Sequence, residues 1–156
     1  WLTSYSLYNR SLEGWFTENA GDEWNDSIAT AMSVLTEESK LQEIVQLVGS
    51  DALPEDQQLT LEVARMLREF YLQQNAFHDV DTYCTTQNQS KFLSVILHYK
   101  DLAEKAMNGG VELEKVIGLP ILEDIGRAKF EENMVELLDK YDKSMANDFA
   151  KLMEEA

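Results

Sequence analysis

The sequence predicts an all-α protein, a single bundle of about six helices from which one helical hairpin protrudes. Apolar residues recur along most of the 156 residues at the three- and four-residue spacing of one helix face. Glycine or proline interrupts this spacing where helices are expected to end and begin. No segment has the alternation of a half-buried strand, so no competing β structure is expected.

The hairpin is the best-defined element of this prediction. Its first helix has an apolar stripe at i, i+3, i+4 and i+7, formed by Leu41, Ile44, Val45 and Val48. Gly49 suits the C-terminal cap of that helix, and Pro54 suits the first turn of the next. So short a connection makes the two helices antiparallel neighbours. The second helix is expected to bury Leu59, Val63, Met66, Leu67 and Phe70.

The hairpin tip is predicted to be short, acidic and exposed. It consists of Ser50, Asp51, Ala52, Leu53, Pro54, Glu55 and Asp56. Leu53 is its informative residue, because an apolar side chain at an exposed tip stays in contact with water unless a partner covers it.

The rest of the chain is interpreted as support for the hairpin. In the N-terminal segment, residues 1–20, Trp15 and Phe16 are expected to pack with Trp24 as a lid, although a platform for a partner is the alternative. A helix to about residue 39 follows and could continue into the hairpin. The face of a later amphipathic helix comprises Phe92, Ile96, Tyr99, Ala103 and Ala106. A last helical region starts at Pro120, and the charged tail, residues 147–156, is expected to fray.

The charge balance limits the classes of partner that the chain is expected to bind. Lys and Arg number 13 against 29 Asp and Glu, which gives a net charge of −16. Such a chain is not expected to bind nucleic acid or an anionic membrane surface, because both require a basic face. The acidic residues are spread along the chain as a solvated surface, so a charge-driven partner would be basic.

Cellular location is inferred from cysteine usage and hydropathy. The single Cys84 cannot form an internal disulfide, which suits a reducing compartment. No signal segment or long apolar run is present, so we expect a soluble, cytoplasmic chain without direct membrane insertion, peripheral to a membrane only through other subunits. Because the sequence starts at Trp1 without a methionine, we expect it to be part of a longer protein.

The motifs of nucleotide hydrolysis and of metal chemistry are absent. The sequence contains no GxxxxGK[ST] run, the loop whose amides and lysine hold phosphate. Di-iron bundles use Glu-x-x-His, whereas Asn75 precedes His78 and Val95 precedes His98 at that spacing. Two isolated histidines with one cysteine do not make a zinc site. We therefore assign no catalytic residue and no metal ligand, and interpret both histidines as structural.

Two stretches carry a family resemblance. Residues 41–55, LQEIVQLVGSDALPE, and residues 62–84, EVARMLREFYLQQNAFHDVDTYC, resemble the C-terminal helical domain of the catalytic A subunit of archaeal-type and vacuolar-type rotary ATPases. The opening WLTSYSLY resembles the segment that follows the nucleotide-binding domain in that family. More distantly, the hairpin is similar to that of the F-type beta subunit, whose acidic DELSEED turn corresponds to residues 51–57, although this chain has fewer acids there.

The resemblance implies a role in a rotary ATP synthase. It implies a ring in which catalytic subunits alternate with non-catalytic B subunits around a central-stalk rotor, with ATP hydrolysis or synthesis coupled to proton or sodium transport. Mg-ATP or Mg-ADP would be held mainly by an upstream domain, so this chain alone is not expected to hydrolyse ATP or to hold a cofactor. Phe77 and Tyr83, six residues apart after the hairpin, would form a wall of the adenine pocket, and the tip would contact the rotor.

Without the resemblance, the pattern allows a second function. A non-catalytic helical adaptor could use the same acidic hairpin to bind a basic partner. A P-loop encoded upstream of Trp1 would favour the ATP synthase, whereas a reading frame that begins near Trp1 would favour the adaptor.

Overall fold

The computed structural model describes residues 8–156, and in that range it is helical without any β-strand. The all-α prediction is therefore confirmed. The α-helices are α1 (Asn9–Ala20), α2 (Trp24–Val48), α3 (Glu55–Met66), α4 (Thr86–Asn108), α5 (Leu113–Ile117), α6 (Ile121–Arg127) and α7 (Met134–Glu154). Among these, none is both long enough and apolar enough to cross a membrane.

The core is built around α4. Its predicted inner face is buried along its whole length: Phe92, Ile96, Tyr99, Ala103 and Ala106. α7 packs along α4, and α3 and α2 contact it from other sides. The Thr85 hydroxyl caps the start of α4 by accepting from the N–H of Asn88 at 3.2 Å, which satisfies one of the free donors of the first turn.

The C-terminal tail differs from the prediction of fraying. α7 continues to Glu154, and the Phe149 side chain is fully buried, with its ring centroid 5.8 Å from that of Tyr99. Phe149 lies four residues after the buried Met145, so both fall on the same helix face. The tail is therefore charged only on its outer side, and its inner side belongs to the core.

The N-terminal aromatics contact each other as predicted, but they are not equally covered. The ring centroid of Phe16 lies 5.8 Å from that of Trp24 and 5.2 Å from that of Trp15. Trp24 is buried, whereas Trp15 remains 48% exposed. The Ser90 hydroxyl of α4 donates to the carbonyl oxygen of Ala20 at 2.5 Å, which fixes the end of α1 against the bundle. The part of the N-terminal segment before residue 8 lies outside the described residues.

The hairpin forms from α2 and α3. α2 runs without a break from Trp24 to Val48, and Gly49 ends it with a φ of +87°, a conformation that suits glycine. A short 3₁₀ turn, Ser50–Ala52, leads to Pro54 and the start of α3. The buried Glu38 of α2 accepts a hydrogen bond from Arg68, which follows α3. This ion pair joins the two arms of the hairpin at its base.

One expectation for the tip is wrong. Leu53 was predicted to be an exposed apolar residue, but it is only 6% exposed. The turn is compact, because the Leu53 N–H donates to the Ser50 carbonyl at 3.1 Å and the Gln58 side chain donates to the Leu53 carbonyl at 2.8 Å. These bonds hold Leu53 in an inward position.

Candidate functional site

The predicted aromatic loop is an extension of the hairpin's second helix. α3 continues through a π-helical segment, Leu67–Leu72, at whose end the N–H of Gln73 donates to the carbonyl oxygen of Arg68 at 2.9 Å. Such π-helical turns are rare and often occur at functional sites. The hairpin tip and the loop that starts at residue 73 are therefore joined by one continuous helical segment. We define residues 73–84 as the aromatic loop.

Asp81 organises the interior of the aromatic loop. It is only 3% exposed, and its Oδ2 accepts a hydrogen bond from the N–H of Asn75 at 2.6 Å. The Asn75 side chain in turn accepts from the N–H of Phe77 at 3.1 Å, and the Thr82 hydroxyl donates to the Asn75 carbonyl at 3.2 Å. A buried carboxylate is stable only when it is well hydrogen-bonded, so these bonds define one loop conformation.

His78 has a structural role in the same loop. Its Nδ1 accepts from the N–H groups of Val80 at 3.2 Å and Asp81 at 3.4 Å, so the ring closes a local turn of the backbone. Its ring centroid lies 4.7 Å from that of Phe130, which belongs to a different part of the chain. His78 therefore contributes to the conformation of the loop and to its contact with the bundle.

The two predicted pocket residues project from this loop into solvent. Phe77 is 97% exposed and Tyr83 is 79% exposed, so neither ring packs down on the bundle. The Tyr83 N–H donates to the Val80 carbonyl at 3.0 Å, which places Tyr83 in a closed 3₁₀ turn. Both rings are therefore accessible to a ligand or partner on a loop that is held by hydrogen bonds.

Lys129 was not predicted, yet it holds the base of the aromatic loop. Its Nζ donates to the carbonyl oxygens of Glu69 at 2.9 Å and Gln73 at 2.8 Å. Carbonyls at the end of a helix lack partners within the helix, so the ammonium group caps the π-helical segment. Burial lowers the pKa of Lys129, and the negative charge of Asp81 opposes that shift.

A glycine allows this region to pack closely. A Cβ atom on Gly126 of α6 would lie 2.9 Å from Cε1 of Phe70, a residue of the π-helical segment, so only glycine fits there without a shift. The Arg65 guanidinium also contacts Phe70, 5.1 Å from the centroid of its ring. Phe70 is thus held between α6 and the end of α3.

An open groove of about 990 Å³ lies between the π-helical segment and α6. The three basic side chains that line the groove already form hydrogen bonds or ion pairs with other groups of the chain. Arg65 bonds Glu62 and Glu69 at 2.6 and 3.1 Å, Arg127 pairs with Glu123 at 3.3 Å, and Lys129 bonds the two carbonyls. Hydrogen bonds from Arg65 to Glu62 raise the pKa of Arg65 against the effect of burial. The groove is therefore a poor site for phosphate groups.

The hairpin presents a larger apolar surface than the sequence predicts. Apart from Leu53, the tip residues are exposed: Ser50, Asp51, Ala52, Pro54, Glu55 and Asp56. Of the predicted α2 stripe, Leu41 is buried, but Ile44 is 44% and Val48 is 59% exposed. Leu47, which the stripe did not include, is 86% exposed. The last turn of α2 thus extends beyond the bundle and carries exposed apolar side chains.

The other polar groups offer little reactive chemistry. Burial raises the pKa of the Cys84 thiol at the end of the aromatic loop, and Asp81 adds to that shift, so the thiolate is disfavoured. His98 Nδ1 lies 2.6 Å from Asp142 of α7, an interhelical contact at the edge of the core. Within residues 8–156, no three His, Cys, Asp or Glu side chains are grouped as metal ligands would be.

Comparisons with known proteins identify the family to which the chain is similar. The family model for the C-terminal domain of V and A type ATP synthases matches residues 13–117. The A subunit of the A-type ATP synthase of Methanopyrus kandleri is 48% identical over 158 residues, which cover 100% of this chain and 27% of that protein. The corresponding protein of Natronomonas pharaonis is 49% identical over a stretch that covers 90% of this chain and 24% of that protein. The A subunit of Pyrococcus horikoshii is 48% identical over a stretch that covers 92% of this chain and 15% of that protein.

The chain therefore spans about a quarter or less of the length of these relatives. The match covers α2, α3, the aromatic loop and α4, which are the elements that form the hairpin and present Phe77 and Tyr83. Since the identity is close to half over the whole chain and the family model covers most of it, the resemblance noted in the sequence is confirmed. The chain belongs to the family of C-terminal domains of V and A type ATP synthases.

Proposed function

We propose that the chain is the C-terminal bundle of the catalytic subunit of a rotary ATP synthase. In the assembled ring it couples Mg-ATP hydrolysis or synthesis to rotation of the central stalk and to ion transport. It contributes two surfaces: the aromatic loop, which completes the adenine side of the nucleotide site, and the hairpin tip, which contacts the rotor. Non-catalytic B subunits flank it, and an upstream domain binds the phosphates and Mg²⁺.

The observation that supports the nucleotide role is the exposure of Phe77. Its ring is 97% exposed, yet the loop that carries it is fixed by the buried Asp81. Exposing a phenyl ring to water is unfavourable unless a ligand or partner covers it. An adenine base offers a flat π-face of matching size, and stacking of bases on aromatic side chains contributes ~1–3 kcal/mol. Tyr83 forms a second part of the same wall.

The hairpin end supports the rotor role. Ile44, Leu47 and Val48 form an exposed apolar surface on the last turn of α2, directly beside the acidic tip. Covering such side chains is favourable by about 25 cal/mol for each Å² of apolar surface removed from water. The hydrogen-bonded turn keeps this surface rigid, so a rotating partner would push against a stiff element rather than a flexible loop.

The nucleotide role is tested by Phe77→Ala in the full-length subunit. We expect nucleotide affinity to fall roughly tenfold, which corresponds to ~1.4 kcal/mol, because one stacking surface is lost. The melting temperature of the 156-residue chain should change little, because the ring makes almost no contact with the bundle. Affinity is measured by titration with Mg-ADP, and stability by thermal melting.

Leu47→Ala is the matched control in the full-length subunit, because it removes an exposed apolar side chain at the other end of the hairpin, which α3 and the π-helical segment separate from the aromatic loop. It should leave nucleotide affinity at the parent value. If Phe77→Ala lowers the melting temperature and leaves affinity unchanged, Phe77 is a packing residue and the nucleotide role of the loop is rejected.

A further inference from the structure

The first half of the aromatic loop contacts one short segment that follows α6, whereas its last residue, Cys84, accepts a hydrogen bond from the Gln89 side chain of α4 at 3.3 Å. The 3₁₀ turn Ala128–Phe130 follows α6 and is anchored in the core by Ala128, which is 1% exposed. From this turn, Lys129 contacts the start of the loop at the Gln73 carbonyl, and Phe130 contacts its middle at the His78 ring. Two neighbouring residues thus hold two separate points of the loop.

The Lys129 contact is directed at the loop rather than at the core. Its ammonium group bonds two backbone carbonyls, one in the π-helical segment and one at the first loop residue. Phe77 lies only four residues beyond Gln73, and the hydrogen bonds on either side of it, at Asn75 and His78, are internal to the loop. The orientation of the loop relative to the bundle therefore depends strongly on this contact and on the Phe130–His78 pair.

We propose that Lys129 and Phe130 are positioning residues of the nucleotide site, which hold the aromatic loop so that Phe77 is preorganised to stack on adenine. This inference rests on the proposed nucleotide role of the loop. Neither residue touches the nucleotide. They act through Phe77, because a ring held in its binding orientation loses less conformational freedom when the base binds.

Lys129→Met in the full-length subunit is the first test. Methionine keeps the length of the side chain but cannot donate to the Glu69 and Gln73 carbonyls. We expect Mg-ADP affinity to fall by about three- to tenfold, since hydrogen bonds from charged groups are among the stronger ones. Lys129→Arg should recover most of the affinity, because the guanidinium group can still donate to both carbonyls.

Two further measurements separate positioning from a general loss of structure. Magnesium pyrophosphate has no base, so its affinity should stay the same in Lys129→Met. If Lys129 acts through Phe77, Lys129→Met combined with Phe77→Ala should bind Mg-ADP no more weakly than Phe77→Ala alone. Lys151→Met is the charge control, because Lys151 is exposed on α7 and pairs with Asp148 of its own helix.

The outcomes distinguish this inference from the proposed function. If Phe77→Ala has no effect on affinity, the proposed function fails and this inference fails with it. If Phe77→Ala weakens binding but Lys129→Met does not, only the positioning role is overturned. If Lys129→Met lost affinity equally for Mg-ADP and for magnesium pyrophosphate, the positioning role would also be overturned. Should Lys129→Met fold poorly, Phe130→Leu removes the ring contact to His78 with little change in volume, and the same loss of Mg-ADP affinity is required of it.

Discussion

Phe149→Ala is expected to lower the free energy of unfolding of the 156-residue chain by roughly 3–5 kcal/mol, the usual cost of truncating a buried phenylalanine. The side chain is fully buried and contacts the Tyr99 ring across the α4–α7 interface. Its removal leaves a cavity beside the buried Tyr99 and Met145, whose side chains then lose packing contacts. Urea unfolding followed by circular dichroism measures the loss.

Glu154→Ala is the control in the same tail. It changes an exposed residue at the end of α7, so it should alter stability by no more than about 0.5 kcal/mol. If Phe149→Ala is as mild as this control, the tail frays in solution and the long α7 seen in the structure does not persist.

The second large effect is expected at the hairpin. Replacing Leu47 and Val48 together by serine should uncouple ATP turnover from ion transport in the assembled complex, because the apolar surface that would face the rotor is lost. A fully covered leucine or valine contributes roughly 1.5–3 kcal/mol, so losing both weakens that contact by well over tenfold. The fold should be spared, since both side chains are already largely exposed. ATP hydrolysis and ion transport are measured on the same preparation.

Removing acidic charges from the tip serves as the comparison for removing the apolar side chains of Leu47 and Val48. Asp51→Asn with Asp56→Asn removes two charges but keeps the backbone of the turn, and we expect much smaller effects on coupling. A glycine turn in place of residues 51–56 would be a weaker experiment, because it also deletes the buried Leu53. Normal coupling in the Leu47 and Val48 double variant would rule out this surface as the rotor contact.

Periodic features of the fold could be predicted because they depend on local chemistry. The apolar face of α4 repeats at helical spacing along the helix, and every predicted member of that face is buried. Gly49 and Pro54 mark the helix ends at the hairpin because each has a backbone preference that few other residues share. Such signals are contained in a few neighbouring residues.

Burial at the ends of elements was harder to predict. Ile44 and Val48 continue the apolar stripe of α2, but the helix extends past the bundle, so both side chains stay largely exposed. Leu53 is buried by the closure of a single turn, which the composition of the tip does not reveal. At the tail, the charged outer face of α7 concealed the register that places Phe149 inward.

The candidate site likewise combines residues that local sequence could indicate with residues that only distant packing brings together. Phe77 and Tyr83 were predicted from their place after the hairpin and from the family resemblance, and both are exposed. The residues that hold the loop were not predicted. Lys129 bonds carbonyls 56 and 60 residues earlier in the chain, and no periodicity or motif relates residues so far apart. Only the packing of α6 against the π-helical segment brings them together.

Fluorescence of Phe77→Trp in the full-length subunit tests whether the aromatic loop completes the adenine side of the nucleotide site. The position is 97% exposed, so a tryptophan there should emit as a solvated indole without disturbing the bundle. Leu47→Trp reports on an exposed position at the other end of the hairpin, which α3 and the π-helical segment separate from the loop. If the loop stacks on adenine, Mg-ADP quenches the emission of Phe77→Trp with a saturable dependence on concentration, magnesium pyrophosphate does not, and neither ligand affects Leu47→Trp. Unchanged emission of Phe77→Trp when the site is known to be filled with Mg-ADP would show that the loop does not contact the base.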